Sequence, residues 1–144
     1  MKIALCQINP TVGSLENNYN LIKNNYESGI KSGADLIIFP ELAICGYPPQ
    51  DLLLQRSFID DNIKFVKKLA SDSTIPMIVG YIRTKDDKIF NSACVCSNGK
   101  IIDIYDKILL PTYDVFDERR YFSPGQDIGI WNVKINGQNT VIGV

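Results

Sequence analysis

The spacing of hydrophobic positions changes several times along this chain, and each change predicts an element. Residues 2–9 are apolar and β-prone until Pro10 and Gly13 interrupt them, which predicts a buried first strand. From Leu15 the apolar positions step to Tyr19, Ile22, Tyr26 and Ile30, which is one face of an amphipathic helix. Ser14 suits its N-cap, Glu16 its electropositive first turn and Gly33 its C-cap. Residues 35–39 then run apolar without alternation, as a short parallel strand covered on both faces does. Strand, helix and strand in that order predict a βαβ unit with a right-handed crossover.

A Gly- and Pro-rich loop over 43–50 leads to a second helical pattern at about 57–70, with Phe58, Ile63, Val66 and Leu69 inward. Lys64, Lys67 and Lys68 fall outside that stripe. Beyond Pro76 the texture becomes that of strands at 77–83, 89–96 and 101–105, the last two joined by the turn Ser97-Asn98-Gly99-Lys100. Consecutive strands predict hairpins. A long loop over 110–127 separates them from a strand at 128–135, the turn Asn136-Gly137 and a strand at 140–144. The apolar run Val141-Ile142-Gly143-Val144 is expected to lead into further chain at its carboxyl end. No internal repeat or low-complexity segment appears.

At 144 residues, 45% of them hydrophobic, the chain suits one sizeable core and predicts one domain or part of one. Its 15 basic and 16 acidic residues form no run of one sign, so nucleic acid is not an expected partner. No apolar run approaches the roughly 20 residues that span a bilayer, and no cleavable signal pattern opens the chain, which predicts a cytoplasmic protein without a membrane segment. Cys6, Cys45, Cys94 and Cys96 have no disulfide-framework spacing and read as thiols, mostly packed in the core. Histidine is absent, which removes Ser-His-Asp and Cys-His catalysis and histidine-ligated metals. Acid–base chemistry must rest on Asp, Glu, Lys, Tyr or Cys.

Among those, Glu41 stands just past a buried strand, where α/β sheets place functional groups. A carboxylate there is expected to lose water and to accept a proton from a neighbouring nucleophile. A helix-capping or ion-paired surface glutamate fits the same position. Lys107 ends another predicted strand, either as a solvated surface lysine or, if it meets Glu41, as an electrostatic partner to a base. The aromatic and charged stretch 112–122 is long enough to line a pocket, and serves equally as a surface or subunit-contact loop.

Two stretches carry a resemblance. Pro40-Glu41-Leu42-Ala43-Ile44-Cys45-Gly46-Tyr47-Pro48-Pro49-Gln50-Asp51-Leu52-Leu53 and Asp106-Lys107-Ile108-Leu109-Leu110-Pro111 closely resemble the first two signature regions of the nitrilase superfamily. Their extensions, GYPPQDLL after the glutamate and YDVFDERRYF after the lysine, look most like the glutaminase domains of glutamine-dependent NAD synthetases. The resemblance implies an α/β fold, the nitrilase-type α-β-β-α sandwich, with residues 1–144 as its N-terminal part and no second domain. It implies Glu41 as general base of a Glu-Lys-Cys triad, Lys107 as oxyanion stabiliser, Tyr113 as a glutamine contact and Glu118 as a support for the lysine. The implied reaction is hydrolysis of the L-glutamine side-chain amide without cofactor or metal. In the longer family enzymes the ammonia passes to a synthetase domain that uses ATP and magnesium to amidate deamido-NAD, usually within a homo-oligomer.

The family's nucleophilic cysteine follows the strand that here ends at Val144, so these residues contain no nucleophile at that place and are expected to be inactive alone. Cys45 stands in the loop segment of the motif and reads as packing, as do Cys94 and Cys96. Cys6, inside the first strand, is expected to be buried. Two other functions remain open: a stand-alone nitrilase-type amidase or carbamoylase, and a non-catalytic interaction domain of the same fold.

Overall fold

The computed structural model describes residues 1–144. The chain forms β1 (Ile3–Leu5), α1 (Leu15–Lys31), β2 (Leu36–Ile38), α2 (Arg56–Asp72), β3 (Met77–Lys85), β4 (Lys88–Ser97), β5 (Lys100–Asp106), β6 (Ile130–Ile135) and β7 (Gln138–Gly143). Short 3-10 turns occupy Gln50–Leu54 and Glu118–Arg120. One sheet has the order β1-β2-β3-β4-β5, parallel through β3 and antiparallel beyond it, while β6 and β7 pair as a separate hairpin.

Side chains alternate across the large sheet and divide its two faces. Ile37, Met77, Val79, Tyr81, Cys94 and Cys96 pack beneath Tyr19, Ile22 and Tyr26 of α1 and Val66 and Leu69 of α2. The opposite face, with Leu36, Ile38, Ile78 and Val95, meets Trp131, Val133 and Ile135 of β6. Helices, sheet and second sheet are thus stacked as the α-β-β portion of the expected sandwich. Each large apolar side chain taken fully from water contributes about 1.5–3 kcal/mol, so both interfaces hold the central strands firmly. The turns behave as the sequence predicts: Asn98-Gly99 and Asn136-Gly137 have positive φ, as two-residue hairpins require. Asp86-Asp87 does the same between β3 and β4.

Four expectations are corrected. Within residues 1–144, β1 is the edge strand of its sheet and only three residues long, and Ile3 and Leu5 are exposed. Cys6 beyond it is half-buried, and partial burial raises its thiol pKa. On α1 the inward turn uses Gly29 against Ile37, which leaves Ile30 exposed. Likewise α2 buries Ile59 and Asn62 ahead of Val66, while Phe58 and Ile63 are only partly covered.

Candidate active site

Glu41 stands just past the carboxyl end of β2, on a loop held by close backbone contact. Leu42 is fully buried with φ +47, a region costly for a side chain of its kind, and its carbonyl accepts the N–H groups of Cys45 at 3.2 Å and Gly46 at 2.8 Å. Gly80 of β3 passes directly beneath. A Cβ at that position would lie 2.4 Å from the Leu42 nitrogen and 2.7 Å from the Pro40 oxygen, so glycine is what lets strand and loop approach.

Lys107 is fixed at the end of β5 in a comparable way. Its N–H donates to the Asn91 carbonyl at 2.8 Å, and its own carbonyl accepts from Gly125 at 2.9 Å. The neighbouring Asp106 carboxylate is paired with Arg83 and accepts the Ser92 hydroxyl at 2.6 Å. These contacts aim the lysine side chain across β4 toward Glu41.

There the ammonium meets both glutamates singled out in the sequence. Lys107 Nζ lies 2.7 Å from Glu41 Oε1, and 3.1 and 3.0 Å from Glu118 Oε1 and Oε2. The Tyr47 hydroxyl donates to Glu118 Oε1 at 2.9 Å, and the Asn91 side-chain amide donates to Glu41 Oε1 at 2.5 Å. Burial alone would lower the lysine pKa, but hydrogen bonds and charge from Glu41 and Glu118 outweigh it and hold the group above its ordinary value. Burial also raises the Tyr47 hydroxyl, assisted by the Glu118 carboxylate, so this phenol stays a proton donor. Glu118 is 5% exposed, whereas the Glu41 side chain is 46% exposed. The dehydration expected at Glu41 is therefore absent here, because its loop is open to solvent on one side.

Tyr113 is exposed and makes no hydrogen bond to this cluster. Its ring edge touches Phe116 at 5.6 Å between centroids, and Phe116 lies 6.4 Å from Tyr47, so aromatic contacts join it to the site. A cavity of about 240 Å³ lies between Glu41, Asn91, Lys107 and Tyr105, and Val144, just past β7, lines its wall.

None of the four thiols reaches this cluster as a nucleophile. Cys45 is fully buried, its Sγ sits 3.3 Å from its own loop's Gly46 carbonyl, and burial pushes it up to about 12. Cys94 and Cys96 face α1 and α2 with their sulfurs 3.6 Å apart, and that contact together with burial raises Cys94. Both belong to the core, as expected.

Sequence reasoning missed Asn91 and Tyr47 as members of the site. The signal at Asn91 was a polar pair, Asn91-Ser92, inside a strand otherwise suited to burial; both residues are 3% exposed. Tyr47 lay within the first motif but carried no role there.

The layered fold is of the nitrilase type, and the chain belongs to the carbon-nitrogen hydrolase family, whose pattern it matches over residues 2–143. Its relatives include the glutamine-dependent NAD(+) synthetase of Thermotoga maritima, 39% identical over 141 residues that make up 94% of this chain and 24% of that protein. The corresponding enzyme of Synechocystis sp. is 42% identical over 130 residues, covering 84% of this chain and 23% of its own length. Among solved structures, glutamine-dependent NAD+ synthetase from Acinetobacter baumannii superposes with a TM-score of 0.88 at 33% identity, over 96% of this chain and 26% of that one. An amidase from Nesterenkonia sp. shares the fold, with a TM-score of 0.82 at 22% identity, over 98% of this chain and 54% of its own. The chain thus spans about a quarter of the length of the NAD(+) synthetases it matches.

Proposed function

We propose that this chain is the acid–base half of a glutamine amidohydrolase site, within a longer protein that uses the released ammonia to make NAD. The observation that carries this reading is the Lys107 ammonium held between Glu41 and the buried Glu118, beside a cavity that the end of β7 reaches. Glu41 is the general base, Lys107 the stabiliser of the tetrahedral oxyanion, and Glu118 the group that holds Lys107 in place. Tyr113 is the glutamine contact, at the outer end of the aromatic path to Tyr47.

A residue following Val144 in a longer chain would enter the cavity beside Glu41 and Lys107, and that is where the reading places a cysteine nucleophile. Glu41 takes the thiol proton as sulfur attacks the side-chain amide carbon of L-glutamine. The C–N bond breaks, Glu41 returns the proton to the departing nitrogen, and ammonia leaves a glutamyl thioester. Water then loses a proton to Glu41 and attacks the thioester, releasing glutamate and restoring the thiol. No metal or cofactor enters these steps; ATP and magnesium serve the synthetase domain that amidates deamido-NAD. Residues 1–144 alone are inactive on this reading, and the full-length protein acts in the cytoplasm as a homo-oligomer.

The test is ammonia release by the full-length protein from L-glutamine, simple aliphatic amides and N-carbamoyl amino acids, with and without ATP and deamido-NAD. Preference for glutamine, coupled to NAD formation, is the expected result. Preference for another amide or a carbamoyl substrate identifies a stand-alone amidase or carbamoylase, and no hydrolysis at all identifies a non-catalytic domain.

A further inference from the structure

Asn91 is bonded to both arms of the site at once. Its main-chain carbonyl accepts the Lys107 N–H at 2.8 Å, and its side-chain amide reaches the Glu41 carboxylate at 2.5 Å. The residue is buried in the middle of β4, between β3 and β5, so its amide has little freedom to turn elsewhere. Both donors to Glu41, the Asn91 amide and the Lys107 ammonium, converge on the same oxygen, Oε1. Oε2 accepts no hydrogen bond from the protein, and Glu41 lines the cavity.

We propose that Asn91 is a positioning residue that divides the work of the Glu41 oxygens: it pins Oε1 jointly with Lys107 and leaves Oε2 to receive the nucleophile's proton. The proposal rests on the reading of Glu41 as general base. Without the amide, the carboxylate can rotate until both oxygens share the lysine, and the oxygen aimed at the nucleophile is lost. The other ionisable groups around the carboxylate are Lys107 at the end of β5, Tyr105 of β5 across the cavity, Glu118 on its 3-10 turn and Tyr47 on the Glu41 loop, and all are kept in the variants below.

The experiment measures kcat and KM for ammonia release in the full-length protein. Asn91→Leu is expected to lower kcat roughly tenfold or more, as loss of a hydrogen bond to a charged group implies, with KM nearly unchanged. Asn91→Ser keeps a polar group in the strand but is too short to reach Glu41, and it should show the same loss of kcat at unchanged KM if the leucine variant does not fold. Either variant keeping the wild-type kcat, or losing kcat only together with a raised KM, overturns the positioning role. Glu41→Gln separates the two ideas: an active Glu41→Gln protein removes the base reading itself, whereas an inactive one beside wild-type kcat in the Asn91 variants removes this inference alone.

Discussion

Glu41 and Lys107 lie 66 positions apart in the chain, yet their carboxylate oxygen and ammonium nitrogen are 2.7 Å apart. The contact is the product of the sheet: β2 delivers one residue at its carboxyl end, β5 delivers the other, and β4 between them supplies Asn91 as a bridge. Glu118 closes the arrangement from the opposite side of the lysine.

Removing the cation should therefore be felt first at Glu118. Lys107→Met leaves a buried carboxylate without its counter-charge, at a cost of about 1–3 kcal/mol for an unsatisfied buried acceptor, more if it stays ionised. Chemical denaturation of residues 1–144 should show this loss, and Lys107→Met combined with Glu118→Gln should recover much of it. Additive losses in the double variant would mean that the two groups are not coupled as the 3.0 Å contact indicates.

The pH dependence of that coupling has a definite sign. Lys107 is raised above its reference value of 10.5 in the folded chain, so the folded state binds this proton more tightly than the unfolded state does. The stabilisation is complete below 10.5 and is lost as pH rises through the higher folded value. Nitrogen NMR of the lysine side chain should place its titration above that of solvent-exposed lysines. A titration below theirs would mean that desolvation outweighs the two carboxylates.

Gly80 supplies a steric prediction. In Gly80→Ala the new methyl group would fall 2.4 Å from the Leu42 nitrogen, and the loop carrying Glu41 must move. Overpacking of this kind costs about 1–3 kcal/mol, and the Asn91 amide should lose Glu41 as a partner. Thermal unfolding and amide NMR of Asn91 check both halves of this expectation, and an unchanged melting temperature and Asn91 signal would contradict it.

Thiol reactivity offers an independent check on the core. Cys45, pushed up to about 12 and fully buried, should resist alkylation near neutral pH while half-buried Cys6 reacts first. Peptide mass spectrometry after brief treatment with iodoacetamide gives the order directly. Rapid labelling of Cys45 would reopen it as a nucleophile.

How much of this could be read from the sequence follows from which interactions are local. Helical spacing marked α1 and α2, and Asn98-Gly99 and Asn136-Gly137 marked two hairpins, because periodicity and left-handed turns are written within a few residues. Glu41 and Lys107 could be read from strand-end position and motif. Asn91 and Tyr47 could not, since their partners are set by strand register and by a loop crossing from elsewhere in the chain. The burial expected for β1 failed for a related reason: its residues have strand character, but nothing local tells whether a neighbour covers the free edge. Glu118 could be named through the motif beyond Lys107, and what the chain could not show was its burial and its two contacts with the ammonium.

If Glu41 is the base, glutamine hydrolysis by the full-length protein should depend on it, and Glu41→Gln is an isosteric change that removes only the proton acceptor. Its kcat should fall by about 10²–10⁴, the usual contribution of a general base, with an unaltered circular dichroism spectrum and a normally folded protein. A Glu41→Gln protein that hydrolyses glutamine at nearly the wild-type rate would contradict it.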